Sequence, residues 1–175
     1  MSLRASFARS ASAGALFGVM GIGACGVDNP LQAPRALDEA FFRCEVQPVL
    51  VRQCAMPACH GNGVRYFRVY ARNRLRYGAT PTLRDAPLTS YEWRANYDAA
   101  RALVQSFDDP RQSLLVLKPL EPSAGGYFHN VAKVFRGAPD VFGSRTDAEF
   151  QVLEAWAAGA RADPACPDPG EAPAP

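Results

Sequence analysis

Apolar positions recur along this chain with a helical period in three stretches. Between Asp38 and Arg52, Phe42, Val46, Val49 and Leu50 fall three to four residues apart and share one helical face. Pro48 interrupts that stretch. It removes one amide and crowds the carbonyl a turn earlier, so the pattern predicts a kink or a fresh turn at the proline. A second helix starts near Thr89. Thr89-Ser90-Tyr91-Glu92 reads as a capping box, and Trp93, Tyr97, Ala100, Val104 and Phe107 follow as a buried stripe that Asp108-Asp109-Pro110 ends. The last helix opens on a similar box, Thr146-Asp147-Ala148-Glu149, with Phe150, Leu153, Trp156 and Ala157 as its apolar face and Gly159 as its stop. Ser113-Leu114-Leu115-Val116-Leu117-Lys118-Pro119 is apolar but short, and its period fits a strand or a buried helical turn equally well. The segment from Arg65 to Tyr77, rich in arginine and tyrosine, has no assignable period. Three short helices joined by long irregular loops predict a small, mainly α domain with space between its elements.

The 175 residues, 48% apolar and 21% charged, suit one globular domain. Residues 1–24 have a different character. Arg4 and Arg9 precede an apolar, Ala- and Gly-rich run ending Ile22-Gly23-Ala24-Cys25, the pattern of a secretory signal peptide. The ending resembles a bacterial lipobox, with Cys25 as the lipidated first residue of the mature chain. An ordinary signal peptide and a weak membrane anchor are the alternatives. Gly26 after that cysteine favours sorting to the outer membrane, on the periplasmic side or at the cell surface. Of the 19 Lys and Arg residues, two lie in 1–24, leaving 17 against 17 Asp and Glu. The mature chain is then neutral, which gives no support to nucleic-acid binding. Residues 25–36 read as anchor and tether, 37–160 as the folded domain and 161–175 as a Pro-rich tail.

The sharpest local feature is Cys54-Ala55-Met56-Pro57-Ala58-Cys59-His60-Gly61. Covalent haem attachment requires two thiols for thioether bonds and an adjacent histidine for the iron, usually as C-x-x-C-H. Here four residues separate the thiols, and the longer loop has to bulge to bring both to one porphyrin edge. A local Cys54–Cys59 disulfide and a structural zinc site of Cys44, Cys54, Cys59 and His60 compete with that reading.

The run Phe42-Arg43-Cys44-Glu45-Val46-Gln47-Pro48-Val49-Leu50, continued through His60-Gly61, resembles the start of exported c-type cytochrome domains from planctomycete- and myxobacterium-like bacteria. Ser113 to Leu120 with Gly125-Gly126-Tyr127-Phe128-His129 resembles their middle segment, and Thr146 to Ala160 their final helix. The resemblance touches most of residues 41–160, although Asn130-Val131 replaces the glycines common after the second histidine. It implies a cytochrome c-like helical domain in which the first and last helices pack together, Phe42, Val46 and Val49 against Phe150, Leu153 and Trp156. It also implies one covalently bound haem c, electron transfer as the activity and a redox protein or membrane electron-transfer complex as partner.

With haem present, His60 is the proximal ligand, and its other ring nitrogen needs a carbonyl or similar acceptor. Met56 is the sole methionine beyond 1–24 and sits between the two haem-binding cysteines, so it is poorly placed for the far face. His129 is the other histidine of the chain; it follows Gly125-Gly126, where bare backbone permits close approach to a flat cofactor. His129 is therefore the expected distal ligand. An open iron, which would allow peroxidase-like chemistry, and Lys118 or Lys133 are the alternatives. Cys44 and Cys166 remain, and their pairing would staple the first helix to the tail. Arg65, Arg68, Arg72, Arg74 and Arg76 read as propionate partners, as a docking patch for an acidic redox partner or as a solvated surface. The chain thus reads as a monohaem electron carrier; the competing class is a haem-free, disulfide-stabilised envelope binding or scaffold lipoprotein.

Overall fold

Residues 35–78, 81–104, 108–129 and 140–163 are described by the computed structural model, and all belong to one unit, Ala33–Pro175. Helix α1 spans residues 39–54. Asp38 caps it, its side chain accepting from the Phe41 amide at 2.7 Å. The helix continues through Pro48, and a new α turn starts there as the sequence allowed. The winding alternates, with α turns at Glu39–Phe41 and Gln47–Val49 and wider π turns at Phe42–Val46 and Leu50–Cys54. The π turn before the proline carries the Gln47 amide to the Phe42 carbonyl, five residues back. Such widening is a recognised way to accommodate a local disturbance without ending a helix. It also sets the phase of the buried face, so that Phe42, Val46, Val49, Leu50 and Cys54 all point into the core.

A short helix α2, Pro81–Arg84, precedes α3, Ser90–Ala102. The capping box of α3 is formed as expected: the Thr89 hydroxyl accepts from the Glu92 amide at 3.2 Å, and the Glu92 carboxylate accepts from the Thr89 amide at 2.8 Å. Along the anticipated stripe Tyr97, Ala100 and Val104 are buried and Trp93 is half-buried; Phe107 lies outside the described residues. The ambiguous apolar run resolves as a single helical turn, α4, Leu114–Leu117. Leu115, Val116 and Leu117 are buried, and Leu120 pairs with Phe142 in an isolated parallel bridge. Short 3-10 turns at Pro110–Gln112 and Pro122–Ala124 flank α4, and α5 spans Ala148–Ala157.

The second anticipated capping box does not form. Asp147, one residue later than Thr146, is the cap, and its carboxylate accepts from the Glu149 and Phe150 amides. Thr146 instead pairs with the Ser144 hydroxyl, and the Glu149 carboxylate reaches across to Arg52 (2.6 Å) and Gln53 of α1. A tertiary partner has taken the side chain that a local cap would have used.

Helices α1, α3 and α5 meet at three rings. The Phe42 centroid lies 5.1 Å from that of Trp156 and 5.4 Å from that of Tyr97, and Tyr97 lies 5.9 Å from Trp156. Both polar handles are satisfied at the start of α1: Trp156 Nε1 donates to the Asp38 carbonyl at 2.9 Å and the Tyr97 hydroxyl to the Leu37 carbonyl at 2.8 Å. The anticipated packing of the first helix on the last is thus present, with Tyr97 as an additional member. The domain is small and mainly α-helical, and the described residues contain no β-sheet.

A buried polar seam ties the irregular residues 55–78 to this core. Asn96 on α3 accepts from the Tyr70 amide and donates to the Tyr70 carbonyl, both at 2.8 Å, and donates to Gln47 of α1 at 3.1 Å. Below it, Arg76 and Glu92 form a two-pronged ion pair, each contact 2.8 Å, with side chains 5% and 1% exposed. Burial alone would raise the Glu92 carboxyl, but the Arg76 guanidinium and the Thr89 and Tyr77 amides hold it down at about 2. Two of the five clustered arginines are therefore internal braces: Arg76 as described and Arg74 through the Val51 carbonyl. Arg65, Arg68 and Arg72 remain exposed.

Candidate functional site

The end of α1 delivers Cys54 into a tight loop closed by three backbone bonds. The His60 amide donates to the Cys54 carbonyl at 2.9 Å, and the Cys59 and Gly61 amides donate to the Met56 carbonyl at 2.8 and 3.0 Å. Gly61 is required there, because any Cβ would overlap the Ala55 carbonyl. Cys54 is buried and Cys59 half-buried, and both are free thiols, so the local disulfide is not formed. Burial pushes the Cys54 thiol up to about 12, with Cys59 and Glu149 adding to the effect. It remains protonated at neutral pH.

His60 follows directly. Its Nδ1 lies 2.8 Å from the Phe67 carbonyl, the kind of acceptor anticipated for it, and the Phe67 ring packs against the imidazole with centroids 4.8 Å apart. A carbonyl only accepts, so Nδ1 carries the hydrogen and Nε2 the lone pair. Burial lowers the imidazole's affinity for a proton; the Phe67 bond opposes this, while His129 and Arg65 add to it, and the net shift is downward. The Val69 amide returns to the His60 carbonyl at 2.8 Å, linking this turn to the Asn96 seam.

The second histidine arrives on a separate loop built on residues 117–121. The Tyr127 amide donates to the Leu117 carbonyl at 2.8 Å, the Gly126 amide to the Glu121 carbonyl at 3.0 Å, and the Lys118 ammonium to the Phe128 carbonyl. Gly125 adopts a left-handed φ of 91°, and a Cβ on Gly126 would overlap the Leu120 carbonyl. The close approach that Gly126 permits is of backbone to backbone. Lys118, an alternative ligand by sequence, serves as a strut of this loop; Lys133 lies outside the described residues.

These two loops bring His60 and His129 together. Their ring centroids are 6.0 Å apart and their planes differ by 19°. His129 Nδ1 lies 3.1 Å from Oδ1 of Asp140, a buried carboxylate, and a carboxylate likewise only accepts. Both imidazoles therefore have Nδ1 committed to an acceptor. Asp140 carries no sequence signal, as it lies eleven positions from His129 in no recognisable motif; the same holds for Asn96 and Gln47 in the seam, whereas Arg76 stood out in the sequence but pairs with Glu92.

No family model, curated protein or solved structure matches the chain. Among the described residues, no group of three or more His, Cys, Asp and Glu side chains comes together that could hold a metal ion. The zinc site of Cys44, Cys54, Cys59 and His60 is not assembled. The assignment to the exported c-type cytochrome domain family is overturned by the same findings: the C-x4-C-H run is not part of an assembled metal cluster, and the resemblance around it is not matched by any family model. The resembling runs have local explanations. Val46 to Leu50 is the buried stretch of α1, Gly125-Gly126 packs on Leu120, and Phe150 to Ala157 is the amphipathic face of α5. Cys44 is disulfide-bonded; Cys166, its expected partner, lies outside the described residues, as does Cys25. None of the helices among the described residues is long and apolar enough to cross a membrane.

Proposed function

We propose that this chain carries one covalently bound haem and transfers single electrons, with His60 and His129 as the two axial ligands and Cys54 and Cys59 as the attachment points. The observation that carries this reading is the paired imidazoles, 6.0 Å apart and within 19° of parallel, each with Nδ1 bonded to an acceptor. Haem takes its axial ligands from the protein and the other four from its own ring. A pair of imidazoles with Nδ1 bonded elsewhere is the donor set such a group requires, and a third protein ligand is not. Cys54 and Cys59 fit because both are free thiols in the loop that ends in His60. The bound group would supply a one-electron ferric/ferrous couple. The chain would supply two fixed imidazoles that fill both axial positions, which suits electron transfer better than substrate binding. On this reading the helical core, with α1 packed on α5, is a cytochrome c-like scaffold. Residues 1–24 direct export, and Cys25 anchors the protein in the outer membrane, where a redox protein or membrane electron-transfer complex is the partner. The competing reading is a haem-free, disulfide-stabilised scaffold lipoprotein; the disulfide at Cys44 is common to both.

Co-expression with a c-type maturation system separates the two. We expect a pyridine haemochrome spectrum from denatured protein and a low-spin paramagnetic resonance signal that His129→Ala converts to high spin. A colourless protein, under conditions that mature a control cytochrome, defeats the proposal and leaves the scaffold reading.

A further inference from the structure

The two imidazoles are alike in ring geometry but not in what stands behind them. Behind His60 is a neutral carbonyl, that of Phe67. Behind His129 is the carboxylate of Asp140, whose side chain is 3% exposed. That carboxylate is itself fixed: its Oδ1 also accepts from the Val141 amide at 2.8 Å. The next residue, Phe142, is bound on both sides, its amide donating to the Pro119 carbonyl and its carbonyl accepting from the Glu121 amide, each at 2.9 Å. The residues 117–121 that hold Asp140 through this bridge also hold the His129 loop through Leu117 and Glu121. One short segment thus sets the position of both partners. Burying a carboxylate is costly unless its lone pairs are matched, and a surface loop has no structural need for one at this place when a serine or asparagine could accept the same two hydrogens.

We infer that Asp140 is a positioning residue for the axial pair: it holds His129 as the Nδ1–H tautomer, and its charge makes Nε2 a stronger donor than that of His60, which favours the oxidised form of the bound iron. This inference rests on the haem reading above. A carboxylate behind a metal-bound imidazole raises the basicity of the ligand, so the two faces would contribute unequally and Asp140 would set the reduction potential downward.

The test is a potentiometric titration of the matured holoprotein and its Asp140→Asn variant. Asparagine keeps an oxygen that can accept from the His129 and Val141 N–H groups and removes only the charge. We expect the low-spin spectrum to persist and the reduction equilibrium to shift toward the ferrous state by tenfold or more, about 59 mV for one electron. An unchanged potential with haem bound overturns the inference while leaving the haem reading intact; a wild-type protein that never acquires haem removes that reading first. Should the variant not be recovered, two-bond proton–nitrogen spectra of the haem-free wild-type chain report the His129 tautomer directly. Nδ1–H supports the positioning role, and Nε2–H overturns it.

Discussion

The aromatic junction of α1, α3 and α5 and the paired-histidine loops are built on opposite principles. At the junction Phe42, Tyr97 and Trp156 are fixed by side-chain packing, three rings within 5.9 Å of one another and almost no solvent contact. At the histidines, position comes from backbone: carbonyls of Cys54, Met56, Leu117 and Glu121 accept the bonds that shape the loops, and Gly61 and Gly126 permit the approaches. Packing tolerates modest repacking elsewhere, since many weak contacts share the load. A backbone-built site fails at single positions but leaves the core untouched. Stability and site geometry should therefore separate under mutation.

The largest expected effect is at the junction. Trp156→Ala removes the central ring and the bond to the Asp38 carbonyl, and should destabilise the protein by about 3–5 kcal/mol in denaturant titration. Haem incorporation, where it occurs, should fall with folding rather than through any change at the axial ligands. Normal thermal stability in this variant would break the contrast at its stronger end.

Next is the brace between the two regions. Glu92→Ala leaves the Arg76 guanidinium buried without its carboxylate and should cost about 3–5 kcal/mol. The pair also gives a pH signature. The Glu92 carboxyl is held at about 2, below its ordinary 4.5. Its contribution is therefore fully present above pH 4.5 and is lost as pH falls through 4.5 toward 2. Glu92→Gln should flatten the acid limb of a stability–pH curve over that window; an acid limb unchanged by the substitution would assign the effect to other carboxylates.

Gly126→Ala probes the backbone-built region. Its Cβ would overlap the Leu120 carbonyl, so the His129 loop must move, at about 1–3 kcal/mol. The diagnostic result is a disturbed axial-ligand spectrum with little change in the far-ultraviolet helix signal. The smallest effect is local: Asp147→Ala removes two bonds to the first turn of α5 and should cost about 1 kcal/mol, whereas Thr146→Ala should be nearly silent.

That last pair shows how sequence reading works and where it stops. Thr89 and Thr146 begin the same four-residue pattern, and only the first became a capping box. Around Thr89 the carboxylate of Glu92 could serve its own helix start and Arg76 at once. Around Thr146 the Glu149 carboxylate was drawn to Arg52 and Gln53, 97 and 96 positions away. Likewise the apolar face of α1 was legible from Phe42, Val46, Val49 and Leu50, but not the π turns that carry it through Pro48. A period records which residues seek burial; it does not record how the backbone bends to bury them.

The sequence by itself determined the three longer helices, their buried faces and the identity of the two histidines and two thiols, because those follow from residue type and short-range spacing. Only the tertiary structure decided that His60 and His129, 69 positions apart, come together with ring centres 6.0 Å apart, that Asp140 bonds to one of them, and that Arg74 and Arg76 turn inward. These are long-range pairings of single side chains. They depend on where separate loops come to rest, which no local pattern of polar and apolar residues encodes.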